Sequence, residues 1–268
     1  MRIGISTASF YSRSCTEDSV TRIGALGAKV CEIFLDTYSE YEPEFGLLLR
    51  NRAEQAGLEV VSVHAMSQQF EPQLFSLSRR QRDDAWALLE KVFRQGQLLG
   101  AKNYVMHGPA LLKGALRNAQ LARIGPIVDE IARLAGEYGL RLCWENVSWC
   151  MFSRPEFAQE ILNYSRDENL CFTLDIKQAA RSGRDPFEYL SAMGSRLAHV
   201  HLCDYRRENG ALQLALPGRG EFDFVRLGRK LRSAGYQGDA ILEPYSDLYG
   251  EPEEIAESMR WLQKTMGT

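Results

Sequence analysis

The chain has 268 residues, of which 45 % are hydrophobic and 25 % charged, with a net charge of -3 and no lysine-arginine stripe. That balance excludes a disordered or fibrous chain and gives no electrostatic footprint for nucleic acid. No apolar run approaches the ~20 residues of a membrane span, so no membrane association is expected. The opening MRIGIS reads as a strand rather than a leader, which makes a cytoplasmic protein the expectation.

Short apolar strands alternate with helical stretches from end to end. The first strand, Arg2 to Ser6, leads to a helix over Thr16 to Leu26 closed by Gly27, and the second strand, Lys29 to Leu35, ends in the tyrosine-rich, acidic loop LDTYSEYEPEF. That loop reads as solvated surface, placed where part of a substrate lid could also sit. The next helix stops at Ala56, with Gly57 as its left-handed cap. Strand three is Leu58 to His64. After a long loop, Ser78 and Gln81 form a capping box for a helix with Ala85, Leu88, Leu89 and Val92 on one face, ended by Gly100.

Strand four, Asn103 to His107, runs into Gly108 and Pro109, and the following helix should kink or restart at Pro126 before Ile127 to Tyr138. Strand five is Leu140 to Glu145, a helix begins near Pro155, and strand six is Leu170 to Asp175. Another helix covers Pro186 to Met193 before the seventh strand, which opens LAHVHLCDY. LPGRGEFDF follows, where Gly218, Arg219 and Gly220 read as a tight turn, with a phosphate cradle as the sharper alternative. The eighth strand is Asp239 to Glu243, and the last helix starts at Pro252. Eight strand-helix units without a linker between halves predict an α/β fold, a single-domain (β/α)8 TIM barrel over residues 1–268.

Six of the eight strand ends carry a histidine or an acid: His64, His107, Glu145, Asp175, His201 and Glu243. Active sites of such barrels lie at this end of the strands. Buried strands that end repeatedly in charge need pairing partners, and a shared metal is the simplest. His199 shares a strand face with His201 and reads as a hydrogen-bonded core residue. The six cysteines have irregular spacing and no CxxC pair, so Cys143, Cys171 and Cys203 read as reduced packing residues rather than a disulfide or zinc framework.

Glu145, Asp175, His201 in HVHLCD, the GRGEFDF turn and Glu243 in ILEPY, in that order on successive strands, resemble the xylose-isomerase-like barrels. That group includes sugar and inositol-ketone isomerases and epimerases, hydroxypyruvate isomerase and, more distantly, endonuclease IV. The resemblance implies one divalent metal (Mn²⁺, Mg²⁺, Co²⁺ or Zn²⁺) held by Glu145, Asp175, His201 and Glu243. It also implies Glu145 and Glu243 as proton-transferring catalytic residues, with His64, His107, Gln178 and Arg207 at the substrate. Two positions depart from the ketose epimerases: Gln178 stands where many members have a histidine, and Met151 where they carry a second acid.

The expected function is therefore a metal-dependent isomerase or epimerase of a small polyhydroxylated ketone or sugar, with or without phosphate, working through a metal-stabilised enediolate. A dehydratase would use the same chemistry. The alternative is a phosphoesterase of the endonuclease IV kind, with His64, His107 and Glu145 holding a second metal. A catalytically silent sugar-binding barrel is a third class. The partner is a small carbohydrate. Barrels of this size often pair into a homo-oligomer, but no exposed apolar stripe marks an interface.

Overall fold

The computed structural model describes residues 1–111 and 117–267. Its strands are β1 (Ile3–Ser6), β2 (Val30–Leu35), β3 (Glu59–Ala65), β4 (Asn103–Met106), β5 (Arg141–Glu145), β6 (Leu170–Asp175), β7 (Leu197–Leu202), β8 (Asp204–Glu208), β9 (Ala211–Ala215) and β10 (Ala240–Leu242). All but β8 and β9 close into one parallel barrel in the order β1-β10-β7-β6-β5-β4-β3-β2. This is the (β/α)8 barrel that the alternation of elements predicts. Strands covered on both faces read as unbroken apolar runs, and β6 and β7 are buried at every position. No helix among the described residues is long and apolar enough to cross a membrane.

Several local signals work as expected. Gly57 and Gly100 cap their helices at φ 64° and 74°, a conformation that costs glycine nothing. Pro252 opens the helix Pro252–Gly267. All six cysteines are free, and all but Cys15 are buried.

Two local expectations change, and two elements come in addition. Ser78 precedes the helix Arg79–Leu99 but makes no side-chain cap bond. Instead Ser76 Oγ donates to Gln81 Oε1 at 2.5 Å and accepts from the Ser78 N–H, so a turn one step upstream takes the glutamine. The helix Arg117–Glu137 continues through Pro126 without a restart, with Leu121, Ile124, Val128 and Ile131 buried on either side of the lost hydrogen bond. A short helix, Ile176–Arg181, begins directly after β6 with Asp175 as its cap. And β8 and β9 form an antiparallel ribbon outside the barrel, turning at Asn209 and Gly210 with φ 52° and 82°. Asn-Gly is the preferred pair for a two-residue hairpin, a signal legible in the sequence but not used above.

Candidate metal centre

The parallel barrel brings all six charged strand ends to one mouth. Local devices then hold them. Asn146, just after β5, accepts from the Asp175 N–H at 2.7 Å and donates to the Asp175 carbonyl at 2.9 Å, acting as a side-chain rung between two strand ends. Asp175 Oδ1 in turn accepts from the Gln178 N–H at 2.8 Å, which leaves Oδ2 for the interior. The buried carboxylate of Glu71 accepts from the backbone N–H groups of His107 and Gly108 and from the Tyr104 hydroxyl, fixing where β4 ends.

At the floor of the mouth, Glu145, Asp175, His201 and Glu243 each offer one donor atom within 4.8 Å of the others. His201 Nδ1 lies 3.3 Å from Glu243 Oε2, 3.4 Å from Glu145 Oε1 and 3.7 Å from Asp175 Oδ2. His201 Nδ1 is buried without a hydrogen-bond partner. Orphaned buried polar atoms are costly and need an explanation. A cation among the four groups would satisfy this nitrogen, and three carboxylates with one imidazole suit Mn²⁺, Mg²⁺, Co²⁺ or Zn²⁺.

The other face of His201 is equally defined. Nε2 lies 3.1 Å from Oε2 of Glu32, a fully buried carboxylate in the middle of β2. The same oxygen accepts from His199 Nε2 and Ser62 Oγ, and Ser6 Oγ donates to the other oxygen. An ionised carboxylate has no proton to give, so both histidines must carry theirs on Nε2. Burial alone would raise the Glu32 pKa, but the charges and hydrogen bonds of His201 and His199 hold it well below the usual carboxylate range. His199 is thus the hydrogen-bonded core residue expected. Glu32 was not singled out from the sequence, although an acid inside the apolar run VCEIFL was the available signal.

Burial also acts against the charged forms of the four central groups. It would lower His201, yet the carboxylates of Glu243, Glu32 and Glu145 raise it well above its ordinary value. It would raise Glu145 and Glu243, yet both are lowered, Glu145 by His107 and His201 and Glu243 by His201 and Lys177. Both glutamates are therefore ionised near neutrality, whereas burial raises Asp175 above its ordinary value.

A cavity of about 670 Å³, open to solvent, lies above this floor, lined in part by Tyr11, Phe34, His64, His107, Gln178 and Tyr245. His64 Nε2 and His107 Nε2 are 3.0 Å apart, and His107 Nε2 is 3.0 Å from Glu145 Oε2, so these three residues form a second cluster able to hold an ion. Burial and then the charge of His107 lower the His64 pKa to about 4. Gln178 accepts at Oε1 from the N–H and hydroxyl of Ser148, which leaves only its NH2 free as a donor.

Lys177 is buried with its ammonium between Asp175 and Glu243. Arg207 is exposed on the β8–β9 ribbon and does not line the cavity. The glycine-rich turn is no open cradle either. Asp204 fills it, accepting from the N–H groups of Gly218, Gly220 and Phe222 at 3.0 Å and of Tyr205 at 2.8 Å.

Fold and site together define a (β/α)8 barrel with a buried cluster of metal-ligand type at the C-terminal mouth. Residues 20–265 match the xylose isomerase-like TIM barrel family, and the chain belongs to it. An inosose dehydratase of Clostridium perfringens is 27 % identical over 136 residues, which span 45 % of this chain and 46 % of that protein. Two solved structures share the fold. A D-tagatose 3-epimerase-like protein superposes with a TM-score of 0.82 at 21 % identity, over 100 % of this chain and 97 % of its own. The IOLI protein with a bound zinc atom gives 0.80 at 16 %, over 99 % and 98 %.

Proposed function

We propose that the protein is a divalent-metal-dependent isomerase or epimerase of a small polyhydroxylated ketone or sugar, acting by proton transfer at the carbon beside a carbonyl. The observation that carries this reading is the orphaned Nδ1 of His201 facing three carboxylates beneath an open cavity. Glu145, Asp175, His201 and Glu243 would hold the ion. When bound, such an ion polarises a carbonyl and offsets the negative charge that develops on proton removal.

The remaining work falls to the protein. Glu145 ends β5 and Glu243 follows β10, three strands apart around the ring, so the two carboxylates reach the cavity from different sides. That suits removal of a proton from one face of a carbon and delivery to the other. His107 sits against Glu145 and receives a hydrogen bond from, or donates one to, Ser67 Oγ at 2.7 Å, which orients its ring toward substrate hydroxyls together with His64. Gln178 donates its NH2 to a substrate oxygen, a narrower role than an amide free at both ends would have.

A purified, chelator-treated chain titrated with Mn²⁺ should take up about one ion, and His201→Ala should weaken that binding sharply. Failure of the wild type to bind any divalent ion sinks the reading. The cluster of His64, His107 and Glu145 favours a second reading, a two-metal phosphoesterase of the endonuclease IV kind. Two tightly held ions per chain and hydrolysis of a phosphate ester would select it. A dehydratase reading draws support from the inosose dehydratase relative, and loss of water from the substrate would identify it.

A further inference from the structure

Lys177 occupies a place that neither the general architecture of the barrel nor the four-ligand set requires. It is the second residue of the helix that Asp175 caps, so its Cα is fixed beside the site while its four-carbon stem turns inward. Its side chain is 2 % exposed, and Nζ is 2.5 Å from Asp175 Oδ2 and in contact with Glu243 Oε2. These are the same two oxygens that face His201 Nδ1 across the candidate metal centre. An ammonium and a divalent ion sharing those oxygens would stand only about 4 Å apart in a buried site, where like charges repel strongly. An alternative seat is near: the Tyr245 ring centroid lies 5.5 Å from Nζ and borders the cavity.

We propose that Lys177 is an internal counter-cation of the metal centre, holding Asp175 and Glu243 before a metal arrives, and that a divalent ion enters by displacing its ammonium. The lysine thereby keeps metal affinity below what the four ligands alone would give. This rests on the metal-centre reading above. It differs from an ordinary buried ion pair in one respect: removing the lysine should improve a binding site rather than damage it. A buried ion pair broken on one side leaves uncompensated charge, which an incoming cation can neutralise.

The test compares chelator-treated wild type, Lys177→Met, Lys177→Gln and Arg181→Met. Arg181 lies on the same helix, but its guanidinium bonds the Tyr245 hydroxyl and touches none of the four ligands, so it reports the general field. Free Mn²⁺ is followed by electron paramagnetic resonance, and thermal midpoints are taken with and without the ion. Lys177→Met should bind Mn²⁺ at least about tenfold tighter than wild type, and Arg181→Met should change affinity less than about threefold. Without metal, Lys177→Met should melt below wild type, and Mn²⁺ should raise its midpoint by more.

Unchanged or weaker binding in Lys177→Met, with a wild type that binds one ion, overturns the displacement and leaves the metal centre standing. Equal tightening in Arg181→Met also overturns it, since charge alone would then account for the effect. No Mn²⁺ binding in any variant removes both readings. Should Lys177→Met fail to fold, Lys177→Gln carries the same comparison, with tighter binding in favour and equal or weaker binding against.

Discussion

His201 donates through Nε2 to Glu32 at 3.1 Å, with both side chains fully buried, so its Nδ1 is turned toward Glu145 and Glu243. A carboxylate behind a histidine ligand fixes the tautomer and raises the basicity of the coordinating nitrogen. Glu32→Gln preserves shape but removes the charge and the obligatory acceptor. Its affinity for Mn²⁺ should fall by about 10–100-fold. In the metal-free protein the His201 pKa, read by ¹⁵N NMR, should fall, because Glu32 is one of the carboxylates that raise it. Unaltered affinity and an unaltered His201 pKa would show that Glu32 serves only the interior.

Glu145→Gln and Glu243→Gln each retain an oxygen donor while removing a base. Against a panel of small ketoses, turnover of whichever substrate the wild type accepts should fall by about 10²-fold or more in either variant. In D₂O the wild type should place deuterium on the carbon beside the carbonyl. Turnover without solvent label would point to hydride transfer, and full activity in both variants would remove the pair from the chemistry.

Asp204 accepts four backbone N–H groups, three of them in the turn from Gly218 to Phe222. Burial raises its pKa against the effect of those donors, and its ordering of the turn depends on the carboxylate being present. Asp204→Ala should therefore lose about 3 kcal/mol or more in denaturant unfolding, because several part-buried donors lose their acceptor together. A loss below about 1 kcal/mol would mean that water replaces the carboxylate readily.

His64 provides a pH test. Burial, then the positive charge of His107, brings its pKa from 6.5 to about 4. A histidine depressed in the folded state binds its proton more readily when unfolded. It therefore costs nothing above about pH 7 and destabilises progressively as pH falls from 6.5 toward 4. The stability of the metal-free wild type should drop relative to His64→Gln across that window, by an amount approaching about 3 kcal/mol at its acid end. Parallel pH profiles for the two proteins would show that His64 is not held neutral.

Much of the architecture was legible in the chain itself. Short apolar strands at near-regular spacing, glycines at 57 and 100 and a proline at 252 are local signals, and each produces its element through backbone preference and burial alone. The six charged strand ends were equally plain, because an acid or histidine closing an apolar run stands out by position. What local reading missed has local causes as well. Asp175 both ends a strand and caps the helix Ile176–Arg181, two roles that one position does not announce, and the Asn209-Gly210 pair turns a hairpin that the strand-helix alternation does not call for.

The rest depended on distance through the chain. Glu32 and His201 are 169 residues apart, and nothing short of barrel closure tells an interior acid on β2 which histidine it will meet. Lys177 finds Glu243 across 66 residues, and the Gly218–Gly220 turn is taken by Asp204 instead of a phosphate. The sequence alone determined the barrel and the ring of charges at its mouth, since periodicity and strand-end position are properties of short segments. The tertiary structure decided which charge faces which, because the energy of a buried ion depends on partners a few ångströms away, wherever they stand in the chain.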